Sequence, residues 1–176
     1  MMTCVGMTSV IHGRLKPAPQ RAHTLPQMSY DDLLTGRYSS PGQVYFVTTV
    51  TVGRAPIFDD FKSARCVIRE MQQAHTSGRV NSLAWVLMPD HLHWLFQLGD
   101  VDVLAQVMQS FKGRSARALN AMNLGKRSVW QNGYHDHALR KEEDVRGVAR
   151  YLAANPLRAG LVAQIGDYSH WDAAWL

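Results

Sequence analysis

Residues 82–98 read S-L-A-W-V-L-M-P-D-H-L-H-W-L-F-Q-L, two apolar runs hinged on Pro89-Asp90. Each run is short and rich in aliphatic and aromatic residues, so 82–88 and 91–98 are expected to be strands joined by a tight turn. Histidine is a poor filler for a plain core strand, because its two ring nitrogens must be satisfied. Residues i and i+2 of a strand share a face and lie roughly 6.5–7 Å apart. His91 and His93 therefore stand side by side, while Leu92 and Trp94 face the other way. Two neighbouring imidazoles can share one metal if further ligands come from elsewhere. They can equally be a hydrogen-bonded pair on a partly wet sheet face. His135 and His137 flank Asp136 with the same spacing, and spacing alone does not rank the two pairs.

Outward from this hairpin the periodicities alternate. "VYFVTTVTV" (44–52) is dense in β-branched residues and reads as a strand. "FDDFKSARCVIREMQQAH" (58–75) sets Phe61, Ala64, Val67, Ile68 and Met71 at helical offsets. A second helix is expected over 102–122, with Leu104, Val107, Met108 and Phe111 on its apolar face. A fourth strand is expected over 128–140, irregular at Asn132-Gly133, and a third helix over 142–155, closed before Pro156. The tail 166–176 brings two tryptophans that must pack somewhere. The order β-α-β-β-α-β plus a helix is an α+β, ferredoxin-like split βαβ arrangement. Its antiparallel sheet carries two helices on one face, with the C-terminal helix added. Residues 1–35 read as a mobile extension with no sustained period, in which Met28 is an alternative start. Residues 36–176 read as a single domain.

A hydrophobic content of 46% excludes a disordered chain. A net charge of +5 points to a polyanionic partner. Cys4 and Cys66 are too few for a disulfide framework, so a reducing cytoplasm is expected. No apolar run approaches the ~20 residues of a membrane span, and the N-terminus lacks an apolar signal core. Between Val103 and His135 there is no Asp or Glu, while Lys112, Arg114, Arg117, Lys126 and Arg127 all fall there. Such a one-signed stretch is a natural phosphate-contacting surface. Trp130 and Tyr134 are candidates for stacking on unpaired bases, or for the core.

In "RYLAANPLRAGLV" (150–162), Tyr151 and Asn155 are four residues apart, on one face of a helix. A phenolate can attack phosphorus and form a covalent phosphotyrosine. A free phenol titrates near ~10, so such a nucleophile needs a metal or base nearby. An asparagine amide oxygen is a plausible ligand for a hard cation. The same pair is also an ordinary rim tyrosine and an Asn-Pro helix stop.

Together these segments resemble the REP-associated tyrosine transposases, a bacterial branch of the single-tyrosine HUH transposases. His91-Leu92-His93 matches the His-hydrophobe-His motif, embedded between "WVLMPD" and "WLFQL". "VWQNGYHDHALRKEEDVRGVARYLAANPLRAGLV" (129–162) is similar to the family's second block. "GRYSSPGQVYFVTTVT" (36–51) is similar to its opening block, and "GDYSHWDAAWL" to its ending. The resemblance implies Tyr151 as nucleophile and His91, His93 and Asn155 as protein ligands of a divalent cation, Mg²⁺ or Mn²⁺. It leaves His135 and His137 without an assigned role. It implies cleavage and rejoining of single-stranded DNA at hairpin-forming, REP-like palindromes through a 5′-phosphotyrosine. The protein is then expected to be a cytoplasmic bacterial monomer or homodimer, active at the nucleoid. Arg37 and Tyr38 become candidates for reading the hairpin or its flank. The rival expectation is a non-catalytic nucleic-acid-binding or repeat-regulating module with an RRM-like sheet.

Overall fold

The computed structural model describes residues 39–125, 127–140 and 143–175, without the side chains of Asn123 and Leu124. The expected N-terminal extension, Arg37, Tyr38 and Lys126 lie outside the described residues.

The strands are β1 (Val44–Val50), β2 (Val80–Met88), β3 (His91–Leu98), β4 (His135–Ala138) and β5 (Trp171–Ala173). They form one sheet in the order β4-β1-β3-β2-β5, with every neighbouring pair antiparallel. β3 lies at the centre because its even positions are all large and apolar. Leu92, Trp94, Phe96 and Leu98 are buried against α1 (Phe61–Thr76) and α2 (Leu104–Leu119), which share that face. Helix α1 starts where the Asp60 carboxylate accepts from Ser63 N at 2.8 Å. It ends before Gly78, whose φ of +72° suits glycine. The aromatic centre of this core is Trp94, Phe111, Trp130 and Phe58, with neighbouring ring centroids 5.3–5.9 Å apart. The two buried indole N–H groups are satisfied, Trp94 by Ser82 Oγ at 3.0 Å and Trp130 by Ser115 Oγ at 2.9 Å.

Three expectations are corrected. The strand expected over 128–140 is only His135–Ala138. Before it, Trp130 makes a single bridge to Thr51, and Gly133 turns with φ +72°. The helix expected over 142–155 is α3 (Val145–Ala153), broken at Ala154 and followed by a short α4 (Asn155–Arg158). Pro156 lacks a donor but is tolerated in the first turn of a new helix, so it restarts the chain there rather than ending it. Tyr151 and Asn155 thus flank a helix break instead of sharing one helix face. The tail contributes β5, which lengthens the sheet beyond four strands.

The second face of the sheet is covered as well. Leu152 and Ala149 of α3 are buried with Leu139, Leu95 of β3, Val86 and Met88 of β2, and Ala173 of β5. His91 and His93 project from this face, since strand alternation puts them with Leu95 and opposite Leu92 and Trp94. No helix among the described residues is long and apolar enough to cross a membrane.

Candidate functional site

His91 and His93 sit at the centre of the sheet, in register with Val50 and Thr48 of β1 and with Met88 and Val86 of β2. Their rings meet edge to face, 84° between planes, and the two Nε2 atoms are 3.2 Å apart. The remaining nitrogens are engaged behind them. His91 Nδ1 meets Asp90 Oδ1 at 2.5 Å, and His93 Nδ1 meets Thr48 Oγ1 at 2.8 Å. Phe46 stacks on the His93 ring at 5.5 Å.

Asp90 occupies the two-residue turn between β2 and β3. Its backbone carbonyl accepts from Thr51 N at 2.9 Å and Thr51 Oγ1 at 3.0 Å, so the turn is held independently of its side chain. Its second carboxylate oxygen accepts from Arg54 Nη1 at 2.8 Å. Arg54 is the sole non-glycine residue with positive φ among the described residues, at +52°, following Gly53 at +64°. That tight turn after β1 returns the chain so the guanidinium reaches Asp90. Burial pushes the Asp90 carboxyl up, but hydrogen bonding and charge from His91 and Arg54 outweigh it and leave it below the usual carboxylate range. Burial, with help from the neighbouring His91 and Arg158, drives His93 down to about 3, so its ring is neutral at physiological pH.

A carboxylate at His91 Nδ1 retains the proton there and leaves Nε2 with its lone pair exposed. When Thr48 Oγ1 accepts from His93 Nδ1–H, the same holds for His93. Two converging lone pairs repel unless a cation lies between them. Two nitrogens each ~2.0–2.1 Å from a shared ion, at about 100° to each other, would be roughly 3.2 Å apart, matching the observed separation. The pair therefore fits a divalent ion. Among the described residues no cluster of three or more His, Cys, Asp or Glu side chains that could hold a metal ion is formed.

The α3–α4 junction carries Asn155, the further ligand that the family resemblance implies. Leu152 is fully buried on this face of the sheet, and its neighbour Tyr151 turns outward, 54% exposed. Asn155 Nδ2 donates to Leu152 O at 2.8 Å, which directs the amide oxygen away from the helix end. That oxygen accepts from Arg158 Nη2 at 2.6 Å. Arg158 also lies over the Tyr151 ring, 3.9 Å from its centroid. The structure thus places Tyr151, Asn155 and Arg158 on the side of the sheet that carries His91 and His93.

The basic stretch lies elsewhere. Lys112, Arg114 and Arg117 belong to α2, on the opposite side of the sheet from the histidines. Lys112 is half-buried and donates to Gln131 O at 2.7 Å and Gly133 O at 2.5 Å, and its burial lowers its pKa. Arg114 pairs with Glu70 at 2.7 Å. Arg117 and Arg127 are exposed, and the Arg127 backbone is tied to the Asn120 amide. Trp130 is core rather than a stacking platform. His135 and His137 project on the same face as His91 and His93 from edge strand β4, with His135 in register with Thr48 and His137 bonded to Glu143 at 2.9 Å. Sequence reasoning missed Thr48, Arg54, Asp90 and Arg158 as site residues. Asp90 was legible as the residue adjoining His91, whereas Thr48 emerges only from strand register.

Comparisons with known proteins point to one family. Residues 41–155 match the family model described as "Transposase IS200 like". The chain is similar to the REP-associated tyrosine transposase of Escherichia coli K12, 31% identical over 87 residues, 48% of this chain and 49% of that protein. It therefore spans about half the length of that relative. A Haemophilus influenzae protein carrying a provisional form of the same name is 23% identical over 144 residues, covering 73% of this chain and 78% of its own. Among solved structures, a REP-associated tyrosine transposase bound to a REP hairpin has the same fold, with a TM-score of 0.62 at 24% identity. That superposition covers 77% of this chain and 79% of the other.

Proposed function

Because this chain belongs to the IS200-like transposase family, we propose that it cleaves and rejoins single-stranded DNA at hairpin-forming repeats through a phosphotyrosine intermediate. The observation that carries the reading is the convergence of two Nε2 atoms at 3.2 Å, each backed by a hydrogen bond on the other ring nitrogen. His91 and His93 would hold a divalent cation, Mg²⁺ or Mn²⁺, with Asn155 as an oxygen ligand. The cation, when bound, withdraws charge from the scissile phosphate. Tyr151 is exposed to solvent and so open to a DNA strand. Its phenolate oxygen attacks phosphorus in line, forming a Tyr–O–P bond and breaking the bond to the 3′ oxygen, which leaves and takes up a proton. The phosphodiester energy is kept, so a 3′-hydroxyl can reverse the step and join strands without ATP. The relative solved with a REP hairpin supports a hairpin substrate here.

The RRM-like alternative needs an open sheet face on which bases stack. That face is occupied by α3, with Leu95, Val86 and Leu152 buried beneath it, which favours the catalytic reading. The test is a hairpin-bearing single strand incubated with Mn²⁺ and resolved on a denaturing gel. Wild type forms a covalent protein–DNA adduct. Tyr151→Phe forms none while keeping hairpin binding, His91→Ala forms none, and EDTA abolishes the adduct. An adduct with Tyr151→Phe would transfer the role to another tyrosine and refute the assignment.

A further inference from the structure

Arg158 engages the nucleophile and the amide at the same time. Its Nη2 donates to Asn155 Oδ1 at 2.6 Å, its Nη1 to the Tyr151 carbonyl at 2.9 Å, and its guanidinium covers the Tyr151 ring. A guanidinium thus sits on the one oxygen that Asn155 can offer a cation, and its charge opposes a cation arriving there. A phosphate reverses both effects. The planar fork of arginine matches phosphate oxygens. An anionic phosphate oxygen attracts the guanidinium by charge as well as by hydrogen bonding, whereas the Tyr151 carbonyl and Asn155 amide oxygens that Arg158 meets here are neutral. Arg158 is exposed and needs no repacking of the core to turn.

We propose that Arg158 is a positioning residue that couples loading of the divalent ion to single-strand binding. Without DNA it keeps Asn155 Oδ1 occupied; a backbone phosphate draws it away and frees that oxygen for the ion. This rests on the reading of His91, His93 and Asn155 as the ion's ligands. Coupling between two ligands is reciprocal, so the ion must strengthen DNA binding by the factor by which DNA strengthens ion binding.

The experiment measures Mn²⁺ affinity of the full chain by electron paramagnetic resonance, with and without an oligothymidine strand that lacks a hairpin. In wild type, oligothymidine tightens Mn²⁺ binding about tenfold, within the usual span for coupled sites. Mn²⁺ tightens oligothymidine binding by the same factor. Arg158→Ala binds Mn²⁺ about tenfold more tightly than wild type in the absence of DNA, and the strand then adds less than about twofold. Arg158→Lys keeps the charge but loses the fork, and falls between the two; it carries the test if the alanine variant melts early. The proposal is overturned if neither variant gains Mn²⁺ affinity without DNA, or if full coupling persists in Arg158→Ala. His91→Ala separates the two levels of failure. If Mn²⁺ binding survives in it, the ligand assignment itself is wrong and the proposal falls with it. If binding is lost while the Arg158 variants behave as wild type, only the role of Arg158 is wrong.

Discussion

Replacing Asp90 by alanine removes the group that fixes His91 without disturbing the turn that holds them. The Asp90 backbone carbonyl keeps its two bonds from Thr51, so the hairpin is expected to persist. What goes is the contact between the carboxylate and His91 Nδ1, with both side chains less than a fifth exposed. A hydrogen bond to a charged group at such a site contributes about 1.5–3 kcal/mol. Removal of a carboxylate behind a metal-binding imidazole typically costs about 10–100-fold in metal affinity, and the two estimates agree. Without Asp90 the imidazole can place its proton on Nε2, and its lone pair then points away from His93. Calorimetric titration of Mn²⁺ at neutral pH should therefore show Asp90→Ala binding about 10–100-fold more weakly than wild type. Arg54→Ala supplies the internal control. Its ion pair with Asp90 is at the rim, with the arginine side chain 66% exposed. Rim pairs are worth about 0.2–1 kcal/mol, so its effect should stay below about fivefold. Equal losses for Asp90→Ala and Arg54→Ala, or no loss for Asp90→Ala, would show that something other than this carboxylate orients the ring.

Two more outcomes are expected. His93 titrates at about 3 in the fold against 6.5 for the unperturbed side chain, so below that ordinary value the unfolded chain takes up a proton that the native state refuses. Stability is then full above the ordinary histidine range and falls as pH drops through it. Chemical denaturation should show wild type losing about 2 kcal/mol more than His93→Asn between pH 7 and pH 5, and equal losses would refute the burial argument. Lys112→Ala should lower stability by about 0.5–1.5 kcal/mol, because the exposed Gln131 and Gly133 carbonyls exchange their lysine donor for water. Unchanged melting combined with weakened oligonucleotide binding would instead make Lys112 a phosphate contact.

How much of this was legible depended on whether a signal was local. The hairpin 82–98 declared itself through two apolar runs and a Pro-Asp turn, and the histidine pair through strand alternation. The limits of strand β4 did not, because H-D-H-A is a four-residue edge strand with no apolar alternation, approached through an Asn-Gly turn. The break between α3 and α4 was hidden because Ala153 and Ala154 are good helix formers and Pro156 fits a first turn as well as a stop. The apolar stripe of α3 was readable, but not which face of the sheet it would cover. Arg158 was visible as an arginine one turn past Asn155. Its reach back to Tyr151 exists only because the helix breaks between them.

That break and the choice of face are connected through side-chain size. On the α1–α2 side β3 presents Leu92, Trp94 and Phe96, and two long helices are needed to bury them. On the other side, small residues recur in the buried cluster, with Ala84 on β2, Ala149 on α3 and Ala173 on β5. Small residues let a helix approach a sheet closely, so a nine-residue helix can be held by Leu152 and a few aliphatic neighbours. Helix α3 packs mainly on β2 and β5, and His91 and His93 of β3 stay only partly buried. The chain then turns at Ala154 and sets Asn155 and Arg158 beside the outward-facing Tyr151. The same small-residue packing that holds the tyrosine helix on the sheet thus leaves the proposed ion site at the histidines partly open. A longer helix with bulkier residues would close the face and remove the site.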